Sequence, residues 1–287
     1  MDLSAVIINY KSRDALAECL QALEADARDS GLAMETLVID NDSRDGTSEM
    51  LAARFPGTRL VANADNIGYA RAVNQGLAAT AAPLLLVLNP DCVAHPGALR
   101  ALRDELIAHP KLALVGPRLL NSDGSLEYSA RSFPTPLTAL FNRYSLLTRL
   151  FPANPWSRRY LMSDWDHSTR REVDWLSGAC LLVRREAIAR VGGMDEAFFM
   201  FNEDVDWCRR FQQAGWANGY VPAATVTHHV GASKGKVAPR VIWSRHLGML
   251  HYFRKHHSRN PLLAAFVGAF VVLRALVMLA RNALRAR

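Results

Sequence analysis

Leu84-Leu85-Leu86-Val87-Leu88-Asn89-Pro90-Asp91 is the stretch on which the fold turns. Five apolar residues without alternation suit a strand covered on both faces, and the amide, proline and carboxylate that follow end it abruptly. The pattern recurs upstream. Ser4–Asn9 is a short β-branched run ending in Asn9-Tyr10, and Glu35–Asp40 is another, running into Asp40-Asn41-Asp42-Ser43-Arg44-Asp45-Gly46-Thr47. Arg59–Ala62 is a third strand. Helical segments lie between them. Ser12 is placed to cap a helix whose Leu16, Leu20 and Leu23 make one apolar face; a second runs from Thr47 to about Phe55, and a third opens at Asn66-Ile67-Gly68 and reaches Gly76. After Asp91 the spacing predicts a helix to about His109, a strand over Leu112–Val115 and a turn at Asn121-Ser122-Asp123-Gly124.

Strands alternating with helices in this way specify an α/β chain with a mostly parallel sheet and helices on both faces. Such sheets bind ligands beyond the carboxyl ends of their strands. The polar clusters Asn9-Tyr10, Asp40 to Asp42 and Asn89 to Asp91 all fall there.

Residues 131–172 interrupt the alternation. They are rich in Pro, Arg, Ser and aromatics with little periodicity, and read as a long excursion, a lid or an acceptor loop. Regular structure returns with the strand-like Val173–Val183, broken at Gly178, then a short helix Arg185–Val191. Trp216–Val226 then leads to His228-His229. Leu262–Leu273 is apolar, Arg274 interrupts, and Ala275–Ala280 resumes. With Arg254, Lys255 and Arg259 before it and Arg281, Arg285 and Arg287 after, this segment reads as a helix in a membrane interface, held by anionic lipid. Docking on the body or on a second subunit is the alternative.

Charge supports that division. The 287 residues carry a net charge of +7, yet no Asp or Glu follows Asp206, while thirteen Lys and Arg do. An acidic body with a basic tail points the tail at something anionic, and the acidic body speaks against nucleic acid as partner. Four scattered cysteines, Cys19, Cys92, Cys180 and Cys208, read as buried thiols of a reducing compartment. The N-terminus enters an apolar strand directly, with no leader pattern, so a cytoplasmic location is expected. No GxGxxG follows a strand and no GxxxxGK[ST] occurs, which argues against dinucleotide enzymes and phosphate-loop ATPases.

Met200-Phe201-Asn202-Glu203-Asp204-Val205-Asp206-Trp207-Cys208-Arg209-Arg210 concentrates three carboxylates at the start of a helix that Asn202 can cap. The helix dipole favours their charged forms there, and one could serve as a base while Val205 and Trp207 pack. An acidic first turn bridged to Arg209 and Arg210 is the plainer alternative.

Each cluster alone is weak; their order is specific. Val6-Ile7-Ile8-Asn9-Tyr10, Val38-Ile39-Asp40-Asn41-Asp42-Ser43, Asn66-Ile67-Gly68-Tyr69-Ala70-Arg71, Leu88-Asn89-Pro90-Asp91, Trp175-Leu176-Ser177-Gly178-Ala179, Glu203-Asp204-Val205-Asp206-Trp207 and His228 with Gly231 and Ser233 follow one another. Over about residues 3–235 this resembles the inverting family 2 glycosyltransferases of the GT-A fold, a Rossmann-like α/β fold, and the rhamnosyltransferase branch in particular. The resemblance implies a nucleotide-sugar site with Asn9, Tyr10, Asp40 and Asp42 at the base, Asp40 recognising the pyrimidine. It implies Asn66, Gly68 and Arg71 on the nucleotide-sugar, with Arg71 suited to the diphosphate. Asn89 stands where the family's DxD motif begins, leaving Asp91, with His228, to hold a divalent cation, Mg²⁺ or Mn²⁺. Asp204 maps to the catalytic base, with Glu203 beside it. Asp206 falls on another helix face and reads as structural. Trp175, with Gly178 allowing close approach, is an acceptor-side stacking surface or, alternatively, core.

The expected protein is therefore a GT-A domain over residues 1–253 followed by a membrane-associating helix over 254–287. It would sit on the cytoplasmic face of the membrane and move a sugar, L-rhamnose from dTDP-L-rhamnose, to a lipid-linked glycan or polysaccharide precursor. A UDP-hexose or UDP-galactofuranose donor, a non-catalytic nucleotide-sugar binding module and a nucleotidyltransferase are the competing readings.

Overall fold

The computed structural model describes residues 1–135, 150, 154–229, 238–258 and 260–284 of the chain. Its strands are β1 (Leu3–Asn9), β2 (Met34–Asp40), β3 (Arg59–Ala62), β4 (Leu84–Leu88), β5 (Cys92–Ala94), β6 (Leu112–Leu120), β7 (Leu126–Glu127), β8 (Ala130–Arg131), β9 (Arg171–Val173), β10 (Trp175–Leu176), β11 (Cys180–Arg184) and β12 (Ala217–His228). The helices are α1 (Arg13–Asp29), α2 (Thr47–Arg54), α3 (Tyr69–Ala78), α4 (Ala98–Ala108), α5 (Pro155–Leu161), α6 (Arg185–Val191), α7 (Glu203–Gln213), α8 (Pro239–His256) and α9 (Pro261–Leu284).

The main sheet runs β3-β2-β1-β4-β11-β6-β12-β5, with β7 beside β6 and β9 beside β12, and β8 pairs with β10 separately. β3, β2, β1 and β4 are mutually parallel. β11 enters antiparallel between β4 and β6, and β6 and β12 are parallel again. Every residue of β1 and β4 is buried, as unbroken apolar runs require. The pleat sends Leu3, Ala5 and Ile7 to one face, against Leu16, Leu20 and Leu23 of α1 and Leu99, Leu102 and Leu106 of α4. Val6 and Ile8 meet the other face, with Val73 of α3 and Trp207 and Phe211 of α7. Asp26, buried in α1, accepts the backbone N–H groups of Gly97 and Leu99 at 2.5 and 2.8 Å and so caps α4 from a neighbouring helix.

Several expectations need correction. β6 continues past Val115 to Leu120, through Gly116-Pro117, because β12 is irregular between Val221 and Thr225 opposite and the proline's missing donor falls there. Val173–Val183 is not one strand but parts of β9, β10 and β11. Ser12 and Asn202 occupy N-cap positions without making a side-chain cap bond. α8 was not foreseen. It carries few uninterrupted apolar residues and three histidines, and it straddles the boundary drawn at residue 253.

α9 is longer than its interrupted sequence suggests. Pro261–Ala283, 23 residues, is long and apolar enough to cross a membrane. Its two faces differ. Ala264, Val271 and Ala275 are buried, and Gly268 lies beside Leu250 of α8. Arg274 falls on that side, its guanidinium reaching the Met249 sulfur at 3.9 Å. Leu262, Phe266, Phe270, Leu273, Leu276 and Val277 stand exposed. Of the long excursion, residues 136–149 and 151–153 lie outside the described residues, as do Gly231 and Ser233.

Candidate active site

The carboxyl ends of β1 and β2 build the first part. Asn9 and Asp40 are register partners, and Asn9 Nδ2 donates to Asp40 Oδ1 at 2.7 Å. It also reaches Ser43 Oγ and Thr47 Oγ1, at 3.1 and 3.2 Å. The backbone N–H of Ser43 donates to Asp40 Oδ2 at 3.1 Å. Asp40 is thereby fixed against Ser43, which with Tyr10, Lys11, Asp42, Arg44 and Asp45 lines a 460 Å³ depression. Asn9, expected to touch substrate, is wholly buried and anchors Asp40 instead. Lys11, over the Tyr10 ring at 5.3 Å, and Arg44, 2.6 Å from Asp42, are cations that the sequence reading passed over.

At the next loop, Asn66 Oδ1 accepts the N–H of Gly68 at 3.0 Å, a local turn before α3. Gly68 has φ +90°, and a Cβ there would lie 2.8 Å from both the carbonyl oxygen and the ring of Phe199. The glycine therefore lets the loop before α7 close onto α3, where the N–H of Tyr69 donates to Phe199 O at 2.7 Å. Arg71 is exposed and pairs with Glu196 at 3.4 Å.

Past β4, Asp91 and His228 come together because β5 pairs with β12, bringing Cys92 opposite His228. His228 Nε2 lies 3.3 Å from an Asp91 carboxylate oxygen and 3.5 Å from Asn89 Nδ2. Its Nδ1 lies 2.9 Å from Glu127 Oε2. Burial works against protonation of His228, but the hydrogen bonds and charges of Asp91 and Glu127 outweigh it and push the imidazole up to about 9. One ligand atom each from Asp91, Cys92 and His228 lie within 4.8 Å of one another. A carboxylate and an imidazole at this separation fit a divalent cation. The Cys92 thiol fits less well. It is fully buried, its ionisation is strongly suppressed by that burial, and it donates to Ala179 O at 3.3 Å.

The third part is the acidic turn. Asp204 accepts the N–H of Gly178 at 2.9 Å and that of Val205 at 2.8 Å. A Cβ on Gly178 would crowd Asp204, 3.3 Å from its Cβ and 3.4 Å from Oδ2, so the close approach Gly178 permits is to this carboxylate. Burial raises Asp204 above the usual carboxylate range, while the two N–H bonds and the charge of Arg131 hold the rise back. Glu203 is 6% exposed, its Oε2 has no partner among the described residues, and burial followed by the charge of Asp204 lifts it well above the ordinary value. The expectation that the helix dipole favours the charged forms therefore fails for Glu203, where burial outweighs a dipole worth about 1 kcal/mol, whereas at Asp204 the two N–H bonds and Arg131 oppose the effect of burial. Asp206 is the structural member, wholly buried and bonded to Arg210, Lys255 and His256 at 2.8, 2.9 and 2.7 Å. Arg210 bridges as the plainer reading expected, whereas Arg209 bonds Tyr252 Oη at 3.0 Å.

Trp175 is a correction as well. It is buried, donates through its indole N–H to Ser132 O at 2.9 Å, and has the guanidinium of Arg131 over its ring at 5.2 Å. It is core packing, not an open stacking surface. Arg131 and Glu127 are the polar groups of this region that sequence reasoning missed. Both lie on two-residue strands, too short for a periodic signal.

The matches to known proteins agree with this geometry. Residues 4–192 match the model of "Glycosyl transferase family 2". An N-acetylglucosaminyl-diphospho-decaprenol L-rhamnosyltransferase of Mycobacterium tuberculosis is 35% identical over 88% of this chain and 86% of its own. A low-salt glycan biosynthesis hexosyltransferase of Haloferax volcanii is 26% identical over 79% of this chain and 67% of its own. Among solved structures, a mannosyltransferase from Pyrobaculum calidifontis in complex with GDP-Man and Mn²⁺ superposes with a TM-score of 0.58 at 16% identity, covering 99% of this chain and 80% of that one. The last of these likenesses bears on fold alone.

Proposed function

Because the chain belongs to glycosyl transferase family 2 and is a glycosyltransferase, we propose that it moves L-rhamnose from dTDP-L-rhamnose to a hydroxyl of a lipid-linked glycan, with inversion at the anomeric carbon. The observation that carries the donor and acceptor is the 35% identity to the mycobacterial L-rhamnosyltransferase, spread over nearly all of both chains.

The site supplies the parts such a transfer needs. Asp204, accepting two backbone N–H bonds, is oriented to take the proton of the acceptor hydroxyl. As that oxygen bonds to the anomeric carbon, the carbon–oxygen bond to the diphosphate breaks on the opposite face and dTDP departs. One carboxylate suffices for a single displacement, so neutral Glu203 need take no part. Asp40, braced by Asn9 and Ser43, would recognise the thymine. Asp91 and His228 would hold a Mg²⁺ or Mn²⁺ ion, which when bound offsets charge on the departing diphosphate.

α9 completes the reading. Its small residues pack on α8 while its large apolar ones face outward, next to a basic tail. That face would enter the cytoplasmic leaflet and bring the site to a lipid-borne acceptor.

Two experiments test this. Asp204→Ala should lower transfer by about 10²–10⁴-fold while dTDP binding persists; undiminished turnover would remove Asp204 as the base. Deleting residues 258–287, which leaves α8 whole, should release the protein from anionic vesicles with donor binding intact. Continued membrane binding would sink the anchoring role.

A further inference from the structure

We propose that Glu127 is a positioning residue for the cation site: it fixes the orientation and tautomer of His228, so that Nε2 is presented beside Asp91. The proposal rests on the reading of Asp91 and His228 as cation ligands, and adds a residue from outside the ordered motifs. The registry of three strands puts it there. Glu127 of β7 stands opposite Leu119 of β6, whose neighbour Leu120 is paired with Thr227 of β12, one residue before His228. β12 in turn sets His228 against Cys92, which follows Asp91. The imidazole is thus gripped between two carboxylates, with Nδ1 2.9 Å from Glu127 Oε2 and Nε2 3.3 Å from Asp91 Oδ1.

The chemistry is directional. A carboxylate only accepts, so Nδ1 must carry a proton toward Glu127. Nε2 is then the nitrogen whose lone pair is available on the Asp91 side once a cation takes the place of its proton. The Glu127 charge also makes the imidazole a better donor to metal. Nothing else among the described residues hydrogen-bonds Nδ1, and His228 is largely buried, so water is a poor substitute. Glu127 itself lies beyond Nδ1, on the far side of the ring from Asp91, and so acts through His228.

Mn²⁺ binding to the full chain, with saturating dTDP, is measured from the free-ion electron paramagnetic resonance signal. The panel is wild type, Glu127→Ala, Glu127→Gln and His228→Ala, with dTDP binding in chelator as a control. Loss of an outer-shell partner should weaken Mn²⁺ by about 10–100-fold in Glu127→Ala, close to the His228→Ala effect. Glu127→Gln, which keeps an acceptor for Nδ1–H but not the charge, should fall between. Metal-free dTDP binding should be unchanged in all, which a misfolded variant could not show. Mn²⁺ affinity of Glu127→Ala within about twofold of wild type would overturn the role of Glu127 and leave the cation site standing. A wild type that binds no Mn²⁺, or a His228→Ala that binds it as well, would overturn both.

Discussion

Glu203 and Asp204 are adjacent carboxyl groups with opposite fates, and replacing Glu203 by Gln separates them. Glu203 is 6% exposed, with one oxygen that no described residue satisfies, and its pKa lies well above the ordinary 4.5. An ionised carboxylate in such a place would cost several kcal/mol, so the group keeps its proton. The folded chain then holds that proton more tightly than the unfolded chain. Between the unfolded value near 4.5 and the higher folded value, the folded state has more protons bound, and stability falls as pH rises. The slope is at most about 1.4 kcal/mol per pH unit for one group. Glu203→Gln removes that slope and adds a roughly constant cost for its buried amide. The expected result is a stability gap between variant and wild type that moves in the variant's favour by up to about 3 kcal/mol over two pH units, measured by urea unfolding from pH 5 to 8. Turnover should stay within about threefold of wild type, against the 10²–10⁴-fold loss expected when the base is removed. A turnover loss in Glu203→Gln equal to that of Asp204→Ala, or a gap independent of pH, would refute the assignment of proton and base.

Three further outcomes follow from particular contacts. Gly68→Ala, at φ +90° with its new methyl 2.8 Å from Phe199 O, should destabilise the chain by about 2 kcal/mol in urea unfolding, and should cut turnover by displacing the loop that leads to Asp204. Asp26→Ala strips the cap from two N–H groups of α4 and should cost about 1–2 kcal/mol with no change in turnover per folded molecule. Asp206→Ala leaves Arg210, Lys255 and His256 facing a buried gap and should cost about 3–5 kcal/mol by denaturant melt, detaching α8 from α7.

The first half of the fold was legible because its strands are buried on both faces and advertise themselves as apolar runs. Leu84–Leu88, buried throughout, has the predicted bounds, as does the half-exposed edge strand Arg59–Ala62. Sequence order also put Asp40, Asp91 and Asp204 at strand or helix ends. What the sequence concealed depends on neighbours. Whether a first-turn carboxylate is charged is set by how deeply it is buried, which Glu203 shows and composition does not. Asn9 and Trp175 were polar and aromatic residues beside a site, and only the packing reveals that one braces Asp40 while the other fills the core. Arg274 looked like an interruption in an apolar helix; its place facing α8 is a matter of helix rotation. Glu127 reaches His228 across 101 residues, a separation for which local pattern holds no information.

The most direct test of the central claim is transfer itself. Purified full-length protein with Mg²⁺ or Mn²⁺ is given a panel of sugar nucleotides and an N-acetylglucosaminyl-diphospho-polyprenol, and nucleoside diphosphate release and the lipid product are followed together. The account predicts dTDP release from dTDP-L-rhamnose, raised by the lipid acceptor and matched by an L-rhamnosylated lipid. Release from a UDP-hexose instead would keep the glycosyltransferase and contradict the rhamnose donor. No transfer to the lipid from any donor would contradict the proposed reaction.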